Sequence, residues 1–215
     1  MSPRGWIVAL VLLGLLGWWR SPYSPRDRTP DVPAAVEGVP RCPAPPWGDA
    51  RDAPLQSDVP RDMQPLRLQA ATLTPLAGFR IEARVLSRED YGRGREAELS
   101  PTDLALGWGR MREDAVVQAL DISQSGRWYH YRWRDAPPIP LEEIVRSSAN
   151  MHLIPADAIA ARELGRVRAG DRVRLEGWLV EAQAPDGWRW RSSLTRDDSG
   201  DGACELVYVC SLRRL

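Results

Sequence analysis

Residues 170–210 read GDRVRLEGWLVEAQAPDGWRWRSSLTRDDSGDGACELVYVC, and the fold turns on their alternation. Gly170-Asp171 makes a turn. Val173, Leu175, Gly177 and Leu179 then alternate with Arg172, Arg174, Glu176 and Trp178. Pro185-Asp186-Gly187 is a second turn, after which Trp188, Trp190, Ser192 and Leu194 share one parity. Residues 197–202, DDSGDG, form a third turn, and Cys204, Leu206, Tyr208 and Cys210 make the last alternation. A period of two predicts half-buried strands, and the short polar breaks predict three antiparallel strands in a meander.

Working outward, Phe79, Ile81, Ala83 and Val85 alternate with Arg80, Glu82 and Arg84, which predicts a further strand. A Gly- and Arg-rich loop follows at 91–98. Ser100-Pro101-Thr102-Asp103 has the form of a helix start, with Ser100 as N-cap and Pro101 at the first position. Met111, Ala115, Val116, Ala119 and Leu120 fall on one helical face. After Gly126, the aromatic run 127–134 reads as a strand. One of its faces holds Trp128, His130, Arg132 and Arg134; the other holds Arg127, Tyr129, Tyr131 and Trp133. Pro137, Pro138 and Pro140 stop it, and short helices are expected at 141–147 and 156–164 around a loop at 148–152. Five strands with inserted short helices predict an α+β domain over 66–215, a small, partly open antiparallel barrel of OB-like form.

The start of the chain has a different character. Trp6 to Trp19, WIVALVLLGLLGWW, carries no charge and lies between Arg4 and Arg20. The run is shorter than the ~20 apolar residues of a full span, and no small-x-small cleavage site follows. It predicts an uncleaved signal-anchor over 1–20, a single-pass inner-membrane helix with Trp18 and Trp19 at the interface. Arg20, Arg26 and Arg28 argue for a cytoplasmic domain, whereas the short basic start before an apolar run favours export, and the periplasmic side is the expectation. Between Pro22 and Pro65 there are 11 prolines, so 21–65 is expected as a disordered, Pro-rich tether. The chain has three cysteines. Cys204 and Cys210 on one strand would lie roughly 20 Å apart by strand rise, beyond disulfide reach. Whether Cys42 pairs with either stays open.

Charge removes one class of partner. From Leu66 onward 22 arginines face 22 acidic residues, without the basic excess that phosphate binding calls for, so nucleic acid is not an expected partner. No cofactor motif is present, and neither the cysteines nor the two histidines have metal-ligand spacing. Asp197, Ser199, Asp201 and Gly202 begin a calcium-loop pattern, yet position twelve is Tyr208 where a bidentate Glu is needed, so an ordinary turn is expected.

Two groups of residues remain as candidates. For hydrolysis, His152 with Asn150, Ser192, Asp198 and Glu205 supply a base, an amide, a nucleophile and carboxylates, although no nucleophile-elbow motif accompanies them. For binding, Trp128, His130, Arg132 and Arg191 combine aromatic surface with positive charge, a pairing that suits sugars or stacked rings.

The segments SPTDLALGWG, SANMHLIPA and RSSLTRDDSGDGACE give the stretch from Tyr91 to Val209 a resemblance to an uncharacterised family of bacterial membrane-anchored proteins. That family has no assigned activity, so the resemblance implies no mechanism. The expectation is a membrane-tethered binding or assembly module of the cell envelope, with an envelope protein or glycan as partner. The alternative is an envelope hydrolase using His152 and the Ser192–Glu205 hairpin.

Overall fold

The structure is a computed structural model that describes residues 3–20, 29–36, 42, 48–196 and 203–215. It is a mixed α+β fold built on one large sheet. The longest strand, β3 (Thr72–Asp90), follows two short ones, β1 (Leu55–Ser57) and β2 (Leu66–Arg67). After the five-residue helix α2 (Arg95–Leu99) come β4 (Thr102–Gly107), a 3-10 turn at Gly109–Arg112 and α3 (Asp114–Gln118). The hairpin β5 (Asp121–Ser125) and β6 (Trp128–Arg132) forms a sheet of its own. Then follow α4 (Leu141–Arg146), β7 (Ser148–Pro155), α5 (Ala158–Arg166), β8 (Arg172–Gln183), β9 (Arg189–Arg191) and β10 (Glu205–Arg214).

The main sheet partly closes on itself. β3 pairs with β4, β4 with β7, β7 with β10, β10 with β8, and β8 again with β3. Four of these pairings are antiparallel, but β7 and β10 run parallel, which the all-antiparallel expectation missed. The expected meander is rearranged accordingly. β9 and β10 both lie along the edge of β8 that faces away from β3, β10 against its first half and β9 near its end, so β10 pairs with β8 rather than extending the sheet beyond β9. Register shifts between Pro75 and Ala77 and between Val85 and Ser87 interrupt the ladders of β3 as it pairs with β8 and β4. Gly177 is a packing requirement: a Cβ there would sit 2.0 Å from the Tyr208 carbonyl oxygen.

Alternation sends Phe79, Ile81, Leu104, Leu106, Met151, Leu153, Leu175 and Val207 into one core cluster, to which α5 adds Ala160 and Leu164. At the start of α5, Asp157 caps the helix, its carboxylate accepting from Ile159 N and Ala160 N at 2.8 Å each. The alternate face of β3 is covered too. Arg174 donates to Glu82 at 2.6 Å, and Arg80 lies 3.3 Å from Glu176, so neighbouring strands neutralise each other's charge.

Several expectations need correction. Ser100–Asp103 does not open a helix. Pro101 precedes β4, whose Leu104 and Leu106 alternate into the core while Ser100, Thr102 and Asp103 are buried as well. The long helical face at 111–120 is instead a 3-10 turn and a five-residue helix; Met111, Val116 and Leu120 are buried, whereas Ala115 and Ala119 are exposed. Residues 148–152 begin strand β7 rather than a loop.

The first helix, α1 (Pro3–Arg20), forms as expected, with its large apolar side chains exposed. However, no helix among the described residues is long and apolar enough to cross a membrane. At 1.5 Å per residue the uncharged run of α1 rises about 21 Å, short of a ~30 Å hydrocarbon core. Part of the expected tether is built into the body. Ala50 is fully buried, β1 pairs with β3, Ala35 bridges Leu68, and a disulfide joins Cys42 to Cys210 with α-carbons 5.5 Å apart.

Candidate functional site

The aromatic run at 127–134 contributes one arm of the β5–β6 hairpin, and its turn is where the site is built. Gly126 and Arg127 both hold positive φ, 57° and 72°, the geometry of a tight turn whose hand matches strand twist. Glycine accepts this conformation freely; arginine does not. Three contacts hold Arg127 there. Its backbone N–H donates to the Tyr91 hydroxyl at 3.1 Å, its carbonyl accepts from Asn150 Nδ2 at 2.9 Å, and its Nη1 donates to Asp103 Oδ1 at 2.7 Å.

Asp103 is the centre of this polar cluster and is fully buried. Asn150 Nδ2 donates to its Oδ2 at 3.1 Å. His152 Nδ1 is 2.9 Å from the same oxygen but does not meet hydrogen-bond geometry. The register explains the grouping: Asp103 pairs directly with His152, and Ala105 with Asn150, across the β4–β7 ladder. Rings close the cluster from outside. The Arg127 guanidinium lies 3.7 Å from the Tyr91 ring centre and 5.6 Å from that of Trp190, and the Trp190 and His152 rings are 4.7 Å apart. Burial, seconded by the charge of Asp103, pushes the Tyr91 phenol well above its usual range.

Beside the cluster is a cleft of about 230 Å³. The hairpin walls it with Trp128, Tyr129 and Tyr131; β7 supplies Ser148 and Asn150; Thr195 and Arg196 come from the stretch after β9, and Glu205 from the start of β10. Trp128 is 39% exposed, so its ring is available to a ligand. Glu205 is 1% exposed; one of its oxygens pairs with Arg196, and Oε2 has no hydrogen-bond partner among the described residues. Gln124 Nε2 donates to Asn150 Oδ1 at 2.6 Å, so the amide joins the cleft to the cluster around Asp103. Burial also pushes the Tyr129 phenol upward.

The structure therefore brings Trp128, Asn150 and Glu205 together and distributes the other candidates. His152 lies under Trp190 and does not line this cleft. Ser192 is engaged structurally: its hydroxyl donates to the Ser193 carbonyl at 2.8 Å and accepts from Leu206 N at 3.1 Å. No hydrogen bond joins Ser192 to His152 among the described residues. Asp198 lies outside the described residues, as does the calcium-like turn at 197–202. His130 and Arg132 stand opposite Ser123 and Asp121 in the hairpin and do not line the cleft. Arg191 pairs with Glu181, which also holds Arg189 at 2.7 Å. Among the described residues no group of three or more His, Cys, Asp or Glu is arranged to hold a metal ion.

Sequence reasoning did not mark Asp103, Arg127, Tyr91 or Trp190 as site residues. An arginine following glycine at a hairpin turn was the one available signal for Arg127, since that position favours residues tolerant of positive φ. No family model matches the chain, and no curated protein or solved structure matches it significantly.

Proposed function

We propose that this chain is a binding module of the bacterial cell envelope, held at the membrane by α1 and taking its ligand in the cleft between the aromatic hairpin and the segment before β10. The observation that carries the reading is the cleft itself. Three aromatic residues line it together with a buried carboxylate, one of whose oxygens has no hydrogen-bond partner among the described residues, a combination of apolar wall and few fixed polar groups typical of ligand sites.

Further support comes from the order of the sheet. Taken in chain order, the five strands of the closed path pair first–second–third–fifth–fourth and back to the first. The third and fifth run parallel, and α5 lies between the third and fourth. This order favours the OB-like reading, a fold that binds ligands over its second and third strands and the loops between strands one and two and between four and five. Here the cleft opens against β7, the third strand, and the segment between β8 and β10, the fourth and fifth. The fold alone does not assign a ligand.

For location, the Cys42–Cys210 disulfide favours an oxidising compartment, hence the periplasmic side. The short apolar run of α1 suits an anchor that thins the bilayer locally, with Trp18 and Trp19 at the interface. The hydrolase reading has thinner support. His152 and Asp103 form a pair of the kind that orients a base, but the Ser192 hydroxyl is committed elsewhere.

Photocrosslinking in growing cells tests the reading. A crosslinking residue at Trp128 should capture envelope protein or glycan, whereas one at the exposed and remote Ile159 should not. Equal capture from both positions, or none from Trp128, ends the cleft reading. Alkaline phosphatase fused after Leu215 should be active; an inactive fusion at normal abundance ends the periplasmic one.

A further inference from the structure

We infer that the ligand of this cleft is an uncharged sugar ring, an inference that rests on the binding reading above and deepens it. Three properties of the lining point the same way.

The first is charge. Arg196 and Glu205 are the only charged residues among the described lining, and they pair with each other. The described lining therefore offers no net counter-charge. Against that lining a phosphate, carboxylate or ammonium group would lose water without gaining an opposite charge, a costly transfer. An uncharged polar ligand avoids that cost.

The second is the placement of polar groups. Glu205 Oε2 is a buried acceptor with no hydrogen-bond partner among the described residues. An unsatisfied buried acceptor costs about 1–3 kcal/mol, and a hydroxyl donor recovers it without adding charge. Asn150 Oδ1 accepts one bond from Gln124 and keeps a second lone pair for another hydroxyl. Acceptors beside an aromatic wall suit a ring whose edge carries hydroxyls and whose face carries C–H groups. Aromatic π faces are electron-rich and attract such hydrogens. Trp128 offers the exposed ring, flanked by Tyr129 and Tyr131.

The third is size. A cleft of about 230 Å³ is smaller than the ~300 Å³ at which drug-sized pockets begin, so it takes one ring-sized group. A free monosaccharide and one ring of a longer glycan present the same chemistry to it. In a polymer the neighbouring rings would lie outside the cleft.

The test is calorimetric titration of the full chain in lipid nanodiscs. The probes are glucose, N-acetylglucosamine, cellotetraose and the N-acetylglucosamine tetramer, with polygalacturonate and tetra-alanine as charged and peptide controls. At least one neutral sugar should bind. Trp128→Ala should weaken it about tenfold, and Trp128→Phe should restore most of the loss. Glu205→Gln should weaken it as well, and the Trp128 pair keeps the test decisive if that variant does not fold. A tetramer that binds where its monomer does not identifies a glycan chain as the source; equal binding per ring identifies the free sugar. The inference is overturned if no neutral sugar binds at up to ~10 mM. It is also overturned if only polygalacturonate or tetra-alanine binds in a Trp128-dependent way, a result that would leave the cleft reading intact. Sugar binding that ignores Trp128→Ala would overturn the inference and the cleft reading together.

Discussion

Arg127 donates to the fully buried Asp103 at 2.7 Å while its own backbone sits at φ 72°. The two facts belong together. A non-glycine residue at positive φ stores about 1–2 kcal/mol of strain, and a buried charge without a partner costs more than that. The contact fixes the turn of the hairpin against β4, and the hairpin carries the aromatic wall of the cleft.

Removing Asp103 and removing Arg127 should both be costly. Asp103→Ala leaves Arg127, whose side chain is 18% exposed, and Asn150 without their shared acceptor. A loss of about 3 kcal/mol is expected. Arg127→Gly relieves the positive-φ strain but leaves the fully buried Asp103 carboxylate without its charge partner, so its loss should be at least as large. Urea unfolding of both single variants and the double variant checks this. The double should cost clearly less than the two singles combined, since the residues act as a pair.

Ser192→Ala separates the structural from the catalytic reading. Its hydroxyl links the Ser193 carbonyl to the start of β10. Stability should fall by about 1–2 kcal/mol, with ligand capture at Trp128 kept. Any hydrolytic activity that vanished with this single hydroxyl at unchanged stability would revive the nucleophile.

The disulfide, whose partly buried cysteines pack against a core cluster, should matter for stability. Cys42 and Cys210 are 168 residues apart, so the bridge closes nearly the whole folded body. In the chain-entropy limit such a loop contributes about 5 kcal/mol. Cys42→Ser, or reduction of the native chain, should lower the melting temperature markedly. An unchanged melting curve would show that the tether docks without the bridge.

Gly177→Ala should fail on packing. The added carbon would meet the Tyr208 carbonyl oxygen at 2.0 Å, and backbone on both strands leaves little room for relief. A loss of about 3 kcal/mol or more, or no soluble protein, is expected. Near-native stability would mean that the β8–β10 pairing gives way.

Alkali should unfold the protein through its buried phenols. Burial, with Asp157 as a second cause, pushes the Tyr208 pKa up to about 12, and burial raises Tyr91 and Tyr129 too. A raised folded pKa contributes stability that is complete below the unfolded value of ~10 and is lost as pH climbs towards the folded one. Circular dichroism should therefore show the fold intact to about pH 10 and failing above it, together with a cooperative rise in tyrosinate absorbance.

Alternation alone located the strands now seen within 72–90, 128–132, 172–183 and 205–214 and the two helices near 141–146 and 158–166, because a face buried against one core leaves a period of two or 3.6 in the chain. It also marked Trp128, Asn150 and Glu205, three residues of one cleft, by chemical type. It misread β4 and β7, since both of their faces are covered and their outward residues are polar: Asp103, Asn150 and His152 look like loop or cap residues until Arg127, Tyr91 and Trp190 close over them. Strand order, the parallel pairing of β7 with β10, the choice of Cys210 over Cys204 for Cys42, and the meeting of hairpin and cleft are long-range contacts. Local sequence records which side of a strand is buried. Only the closed sheet decides what it is buried against.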